Sequence, residues 1–325
     1  MGAKTMIRVE HLTKKFDKFT AVDDISFTVA EGESFGFLGP NGAGKTTTIR
    51  MLTTLIPPTK GRAEVAGYDV VKKSDRVREN IGIIFQEPSL DERLTAYDNL
   101  FFHAALYRVP RREIRTRIEK ALLMVELEKF KDLEVKTFSG GMKRRLEIAR
   151  GFLHMPKVLF LDEPTLGLDP QTRRAIWEYI RGLKEDFGVT LFLTTHYMEE
   201  AEESDRVGII HKGKIITVDS PEKMKKRIGE ETIILSTIDG NEKKVKALGY
   251  DLTREGEKIL LKVEKSEDVL KKLLDGGINI ENLTIKRPTL EDVFIELTGT
   301  AIKDDAPGDP MDVIRRATRI RRMNQ

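Results

Sequence analysis

The chain has 325 residues, of which 34% are charged, and its 56 Lys and Arg nearly balance its 53 Asp and Glu. This length suffices for two ordinary domains. The small net charge of +3 argues against general nucleic-acid binding, which needs a concentrated basic face. Cysteine is absent, which excludes disulfides and cysteine metal sites. No run of about 18 uncharged apolar residues occurs, and the N-terminus lacks a signal-peptide core, so we expect a cytoplasmic protein.

From about residue 7 to 218, short β-rich runs alternate with amphipathic segments, which is typical of an α/β domain. The clearest predicted strands are nearly all apolar, as parallel strands covered on both faces should be, and span 34–38, 158–161 and 190–194. Between them, a helix-rich stretch is predicted over about 87–153. There Thr95 and Asp98 fit a capping box, and apolar residues then recur at helical spacing at Ile114, Ile118, Leu122 and Val125.

The pattern changes near residue 230. Strands are predicted over 232–238, 258–263 and 278–285, and helices over 243–248, 266–274 and 290–297. Two β-α-β halves of this size indicate a small α+β, ferredoxin-like module. We therefore expect a first domain over 1–229, an accessory domain over 230–300, and a linker with a basic tail over 301–325. For this tail, disorder, a protein contact and a lipid contact remain open.

A phosphate-binding loop follows the first of these strands. Its motif is G-x-x-x-x-G-K-[ST], with a strand before it and a predicted helix, 48–55, after it. Glycines let backbone N–H groups curl around phosphate oxygens; the lysine adds a positive charge, and the first threonine can ligate Mg²⁺. The residues expected to bind nucleotide here are Gly39, Pro40, Asn41, Gly42, Ala43, Gly44, Lys45, Thr46 and Thr47.

Two carboxylates end the predicted strand 158–161, at the strand end where α/β sheets place their ligands. After a phosphate-binding loop, Asp162 is expected to hold Mg²⁺, and Glu163 is the candidate to polarise the attacking water. A second glycine-rich segment, with Ser139, Gly140 and Gly141, precedes a basic helix. It is either another anion cradle, completed between two copies of the chain, or a plain helix cap, which is favoured for these residues alone.

These motifs together resemble the nucleotide-binding subunits of ATP-binding cassette (ABC) transporters. GPNGAGKTT, Gln86 in IIFQ, FSGGM, LFLDEP, the Gly-Leu-Asp-Pro segment containing Asp169, and His196 occur in the family's order over about residues 5–230. The resemblance implies a P-loop NTPase fold with a helical subdomain at about 87–153. It also implies ATP and Mg²⁺ as cofactors, ATP hydrolysis, and a dimer that encloses two Mg·ATP.

The resemblance also assigns roles to residues near the loop. Phe16, ahead of Val22, stands where the family stacks an aromatic ring on adenine, so both are expected at the nucleotide. Gln86 would sense Mg²⁺ and the attacking water and report to the membrane partner. Ser139, Gly140 and Gly141 would meet the γ-phosphate held by the opposite copy. Asp169 would lie at the dimer seam, and His196 would contact the γ-phosphate.

The glycine-rich segment departs from the family pattern, because Met142 replaces the common Gln. This variant and the C-terminal IKRPTLEDVFIELTG are similar to daunorubicin-resistance-type exporter ATPases. An exporter subunit at the cytoplasmic membrane face, docked on an integral permease through the helical region, is therefore the leading interpretation. Phe101, Phe102 and Tyr107 are candidate contacts, although a core role is equally compatible with each.

Two alternatives are weighed against this interpretation. Soluble ABC ATPases that act on ribosomes or nucleic acid carry two cassettes, or insert coiled coils or zinc sites between the two glycine motifs. This chain has one cassette and no cysteines, so no nucleic-acid partner is expected. A regulatory nucleotide-binding module without hydrolysis is disfavoured by the intact Glu163.

Overall fold

The computed structural model describes residues 4–17, 19–87 and 89–228, and, in the C-terminal part, 231–237, 245, 249–250, 252–255, 258–263, 266–276 and 280–299. The predicted helix 243–248 falls almost wholly outside these ranges, and the linker and tail over 301–325 lie outside them. No helix in the described ranges is both long and apolar enough to cross a membrane.

A six-stranded sheet forms the centre of the first domain, in the order β10-β9-β3-β8-β7-β6. All neighbouring strands are parallel except the antiparallel pair β10 and β9. The predicted strands are present, each ending within one residue of expectation. The six strands are β3 (Ser34–Leu38), β6 (Ile81–Ile84), β7 (Val158–Asp162), β8 (Thr190–Thr195), β9 (Arg206–His211) and β10 (Lys214–Asp219).

An antiparallel sheet covers one face of this central sheet. Its order is β2-β1-β4-β5, with β1 (Thr5–Phe16), β2 (Phe19–Ala30), β4 (Lys60–Val65) and β5 (Tyr68–Asp69). Phe27 on β2 stacks on Phe35 with ring centroids 5.3 Å apart, and Phe192 on β8 lies 5.6 Å from Phe35. These aromatic rings are buried between the two sheets, and a buried aromatic ring contributes a large apolar area to a core.

Helices pack on both faces of the central sheet, and some of them build the helical subdomain. In the first domain they are α1 (Lys45–Leu52), α2 (Ser74–Asn80), α3 (Ala96–Leu106), α4 (Arg111–Met124), α5 (Gly140–Phe152), α6 (Pro170–Phe187), α7 (Met198–Glu202) and α8 (Pro221–Ile228). Thr95 caps α3 by accepting a hydrogen bond from the Asp98 N–H. Ile114, Ile118 and Leu122 form the buried face of α4. One continuous apolar cluster joins α3, α4, α5 and α6 to β7 and β8, so the subdomain shares its core with the sheet.

The C-terminal module contains a four-stranded antiparallel sheet in the order β14-β11-β13-β12. Its elements are β11 (Glu231–Thr237), β12 (Leu252–Glu255), β13 (Lys258–Val263), α9 (Ser266–Asp275) and β14 (Ile280–Lys286). This order is that of a ferredoxin-like sheet, as expected. The edge strand β12 is an addition to the predicted elements.

The last described helix, α10 (Leu290–Thr298), belongs to a different core from that of the module. A capping box between Thr289 and Asp292 starts it. Leu290, Val293 and Phe294 are buried against residues of the first domain: Leu38, Ala201, Val207, Ile209 and Met224. The helix therefore fastens the end of the accessory module to the central sheet.

Candidate active site

The phosphate-binding loop lies between β3 and α1, where backbones approach too closely for side chains. A Cβ at Gly39 would lie 2.3 Å from the carbonyl oxygen of Ile210, and one at Gly44 would lie 2.6 Å from that of Ala21. Gly44 also has φ +108°, in the left-handed region that favours glycine. The loop therefore needs glycine at both positions to keep its compact turn against β2 and β9.

A cavity of about 410 Å³ opens beside this loop. The loop contributes one wall, and the opposite walls come from three other segments of the chain. Its lining residues are Phe19, Ala21, Asn41, Gly42, Gly44, Lys45, Thr46, Thr47, Gln86, Glu163 and Leu166. Gln86, just after β6, and Glu163, just after β7, thus face the loop from the carboxyl edge of the parallel sheet, which is where such sheets bind ligands.

Lys45 is buried with its ammonium at the cavity. Nζ donates to the carbonyl oxygens of Gly39 at 2.7 Å and Pro40 at 3.2 Å, and lies 3.1 Å from Oε1 of Glu163. Burial lowers the pKa of Lys45, because desolvation outweighs the attraction of Glu163 and Asp162. The ammonium is held by carbonyls and one carboxylate, so it is placed to contact an anionic phosphate chain.

Asp162 ends β7 with a carboxylate fixed by two hydroxyls. Its Oδ1 accepts hydrogen bonds from Oγ1 of Thr194 at 2.6 Å and from Oγ1 of Thr46 at 3.2 Å. Burial raises the pKa of Asp162, although these hydrogen bonds oppose the shift. A loop hydroxyl and a carboxylate that meet beside a phosphate site are the oxygen ligands that Mg²⁺ prefers.

These oxygens fit a magnesium ion that is shared with phosphate. Among the residues that the structure describes, no group of three or more His, Cys, Asp and Glu could hold a metal by itself. Mg²⁺ usually binds to one or two protein oxygens and completes its coordination with phosphates and water. Thr46 and Asp162 supply such a partial set.

Glu163 follows Asp162 with a left-handed backbone, φ 47°, which costs a non-glycine residue free energy and recurs at functional sites. Its N–H donates to Thr194, and its carboxylate lies between the Lys45 ammonium and Nδ1 of His196, which is 3.4 Å away. Burial would raise the pKa of Glu163, but contact with His196 and Lys45 outweighs it and lowers the pKa. The side chain is therefore an ionised acceptor beside the phosphate loop.

The second glycine motif lies at the start of α5, away from the cavity lining. Ser139 is its N-cap, and its Oγ accepts from the Met142 N–H at 3.2 Å. A Cβ at Gly141 would lie 2.7 Å from Cγ2 of Thr172. Thr172 in turn donates to Asp169, the N-cap of α6, at 2.6 Å. The motif and Asp169 thus form one exposed unit built from two neighbouring helix N-termini.

Most of the sequence-predicted residues therefore fall into two groups, with Val22 and Phe16 outside both. The loop, Gln86, Asp162, Glu163 and His196 come together, whereas Ser139, Gly140, Gly141 and Asp169 lie elsewhere on the surface. Val22 is buried behind Gly44. Phe19 lines the cavity. Phe16 is paired with Phe19 across the β1–β2 hairpin, and Nζ of Lys14 lies 5.0 Å from the centroid of the Phe16 ring.

The sequence did not predict four contributors to the site: Phe19, Ala21, Leu166 and Thr194. The aromatic nature of Phe19, three residues beyond Phe16, was the only local signal for it. Thr194 was predicted only as a strand residue, because its hydrogen bond to Asp162 joins two strands 32 positions apart.

Two family models match this chain, one in the first domain and one in the C-terminal module. The family model "ABC transporter" matches residues 22–166, and "ATP-binding protein DrrA1-3-like, C-terminal domain" matches residues 220–298. The linearmycin resistance ATP-binding protein of Bacillus subtilis is 40% identical over 313 residues, covering 92% of this chain and 100% of that protein. A daunorubicin resistance ATP-binding protein of Streptomyces coeruleorubidus is 36% identical, covering 91% of this chain and 97% of that protein.

Solved structures show the same likeness over the first domain. An ATP-binding subunit of an ABC transporter aligns with TM-score 0.63 at 30% identity, covering 68% of this chain and 92% of its own. A dimeric ATP-binding cassette in a post-hydrolysis state, bound to ADP and phosphate, aligns with TM-score 0.60 at 28% identity, covering 66% of this chain and 98% of its own. The expected P-loop fold is thereby confirmed.

Proposed function

This chain belongs to the ATP-binding subunits of ABC transporters of the drug-resistance exporter type, and we propose that it powers export of a drug-like cargo through a separate permease. As a member of this family it binds and hydrolyses ATP. One observation carries the proposal for its site: the loop, Gln86 and Glu163 line one cavity, and Asp162 accepts a hydrogen bond from Thr46 at its wall.

In the proposed reaction, the loop and Lys45 hold the β- and γ-phosphates of ATP, and Phe16 or Phe19 stacks on the adenine. Glu163 orients a water molecule and accepts its proton while the water oxygen bonds to the γ-phosphorus and the bond to the bridging oxygen breaks. His196 and Gln86 contact the γ-phosphate region. Thr46 and Asp162, with Gln86, would hold Mg²⁺, which neutralises charge on the phosphate oxygens when it is bound.

Two copies are needed to complete each site under this proposal. Ser139 and Gly140 are exposed at a helix N-terminus, where backbone N–H groups favour an anion. Because these residues do not line the cavity of their own chain, we assign them to the nucleotide held by the second copy. Asp169, beside them on α6, then lies at the seam of the dimer.

The helical subdomain presents the surface for the permease. Phe101, Phe102 and Leu106 on α3 are 40%, 58% and 77% exposed, and Tyr107 beyond them is half-buried. Exposed apolar groups clustered on one helix suit a protein partner. With an integral permease as its partner, the ATPase would lie at the cytoplasmic membrane face. The division into 1–229, 230–300 and 301–325 remains part of the proposal, with the middle part regulatory or dimer-stabilising.

Co-purification tests the partnership. The tagged chain, extracted with its membranes in mild detergent, should retain one integral membrane protein, which mass spectrometry identifies. The double substitution Phe101→Ser/Phe102→Ser should release that partner. The control Leu274→Ser changes a 66% exposed apolar residue on α9 of the accessory module and should retain it. Co-purification with ribosomes or nucleic acid and no membrane protein would support the soluble alternative instead.

A further inference from the structure

Arg144, on the second turn of α5, is buried although it carries a charge. Its guanidinium donates to the carbonyl oxygens of Phe85 at 2.5 Å, Pro164 at 2.5 Å and Glu163 at 3.2 Å. It also donates to Oε2 of Glu147, one turn along the helix, at 2.9 Å. One side chain therefore joins α5 to the residue before Gln86 and to the backbone of Glu163.

Glu147 and Arg150 extend this connection to the other side of Gln86. Glu147 is 1% exposed, and its Oε1 accepts from the Ser89 N–H at 2.8 Å. Arg150 donates to the Ser89 carbonyl oxygen at 2.6 Å. The segment that carries Gln86 is thus attached to α5 at Phe85 and again at Ser89.

The chemistry of this cluster suits a rigid connection. A buried guanidinium is retained only where its fixed fork meets acceptors in matching directions, and here Arg144 meets a carboxylate and three carbonyls. A lysine ammonium offers one nitrogen and cannot reach these separate acceptors together. The position of α5 is therefore linked by hydrogen bonds to the backbone of Glu163 and to the segment that carries Gln86.

We propose that Arg144, with Glu147, is a positioning residue that couples the two nucleotide sites of the dimer. This inference rests on the proposed function, in which the N-terminus of α5 contacts the nucleotide of the second copy. When Ser139 and Gly140 engage that nucleotide, Arg144 transmits the position of α5 to Glu163 and Gln86 of its own site. Hydrolysis at each site then depends on occupancy of the other.

The test is ATPase activity of the full chain as a function of ATP concentration, for the parent, Arg144→Met, Arg144→Lys and Glu147→Gln. We expect Arg144→Met to lower kcat about tenfold or more, with KM changed less than about twofold, because positioning of Glu163 is lost rather than ATP binding. The Hill coefficient should fall from near 2 to near 1, since coupling between two sites is lost. Arg144→Lys should give intermediate values, and Glu147→Gln should also lower the Hill coefficient.

Arg145→Met is the matched control. Arg145 is the next residue on α5 and donates to the carbonyl oxygen of Val125 at 3.2 Å, within the helical subdomain. The Arg145→Met variant should keep the Hill coefficient and the kcat of the parent. A merely structural Arg144 would lower the fraction of active protein, which titration with a tight nucleotide analogue measures, and would leave the Hill coefficient unchanged.

Two outcomes distinguish failure of the coupling role of Arg144 from failure of the proposed two-copy site. If the parent shows cooperativity and Arg144→Met keeps it, the coupling role of Arg144 is wrong. If the parent hydrolyses ATP without cooperativity and sediments as a monomer with ATP, the two-copy site itself is wrong.

Discussion

Acidification should destabilise the first domain through a buried histidine. His103, on α3, lies beside Tyr107 and His154, with ring centroids 4.5 Å and 5.6 Å away. Its Nε2 is buried with no hydrogen-bond partner among the described residues. Burial, assisted by repulsion from His154 and Arg150, lowers the pKa of His103 from 6.5 to about 3. The folded protein therefore keeps this ring neutral at pH values where the unfolded chain protonates it.

The sign and size of the effect follow from that difference. Because the folded pKa is depressed, the stability contributed by His103 is complete above pH 6.5 and decreases as the pH falls toward 3. Between pH 7.5 and 5.5 the loss should be about 1 kcal/mol, after allowance for the partial exposure of the ring. The variant His103→Phe keeps a flat ring but removes the titration.

Urea unfolding at the two pH values measures this loss. Trp177 on α6, the single tryptophan, reports on the apolar cluster that also contains residues of α3. The parent should lose about 1 kcal/mol more than His103→Phe on acidification. The variant should retain a smaller pH dependence, because burial also lowers the pKa of His154. Equal pH dependence of the two proteins would show that His103 does not stay neutral in the fold.

Three further substitutions test the packing. Phe294 is 1% exposed between α10 and the central sheet, so Phe294→Ala should lower the free energy of unfolding by about 3–5 kcal/mol. Limited proteolysis should then release the accessory module. Resistance to proteolysis equal to that of the parent would contradict the packing of α10 on the first domain. Thr289→Ala removes the N-cap of that helix and should cost about 1 kcal/mol in urea unfolding, whereas no change would exclude a stabilising cap. Thr194→Val removes the hydroxyl that donates to the buried carboxylate of Asp162 and should cost about 1–3 kcal/mol. An unchanged melting temperature would argue against this hydrogen-bonded arrangement.

The sequence predicted the central strands well because their signal is local. β3, β7 and β8 are short apolar runs followed by motifs that need a strand before them. The start of α1 was predicted three residues late, at 48 rather than 45. Consecutive threonines after the loop disfavour a helix by propensity, but Gly44 turns the chain so that α1 begins directly at Lys45.

What the sequence could not predict depends on contacts between distant segments. Arg144 lies in a run of basic residues that is typical of a solvated helix face, yet its carbonyl acceptors are 19 to 59 positions away. The strand β12, LTRE, is too short and polar to give a strand signal. The helix α10 was predicted as a helix, but nothing in its apolar stripe indicated that the first domain would cover it.

Glu163→Gln tests the central claim most directly. The amide keeps the size of the side chain but is a far poorer base, so hydrolysis should fall by about 100-fold or more while ATP binding is retained. With Mg²⁺ and ATP, sedimentation should then show a stable dimer, whereas Lys45→Ala should bind ATP weakly and remain a monomer. Glu200→Gln is the control, because it changes another buried carboxylate, which accepts a hydrogen bond from Thr195 at 2.6 Å. This variant should hydrolyse ATP at the rate of the parent. Hydrolysis by Glu163→Gln at the parental rate, or a monomer with ATP bound, would contradict the account.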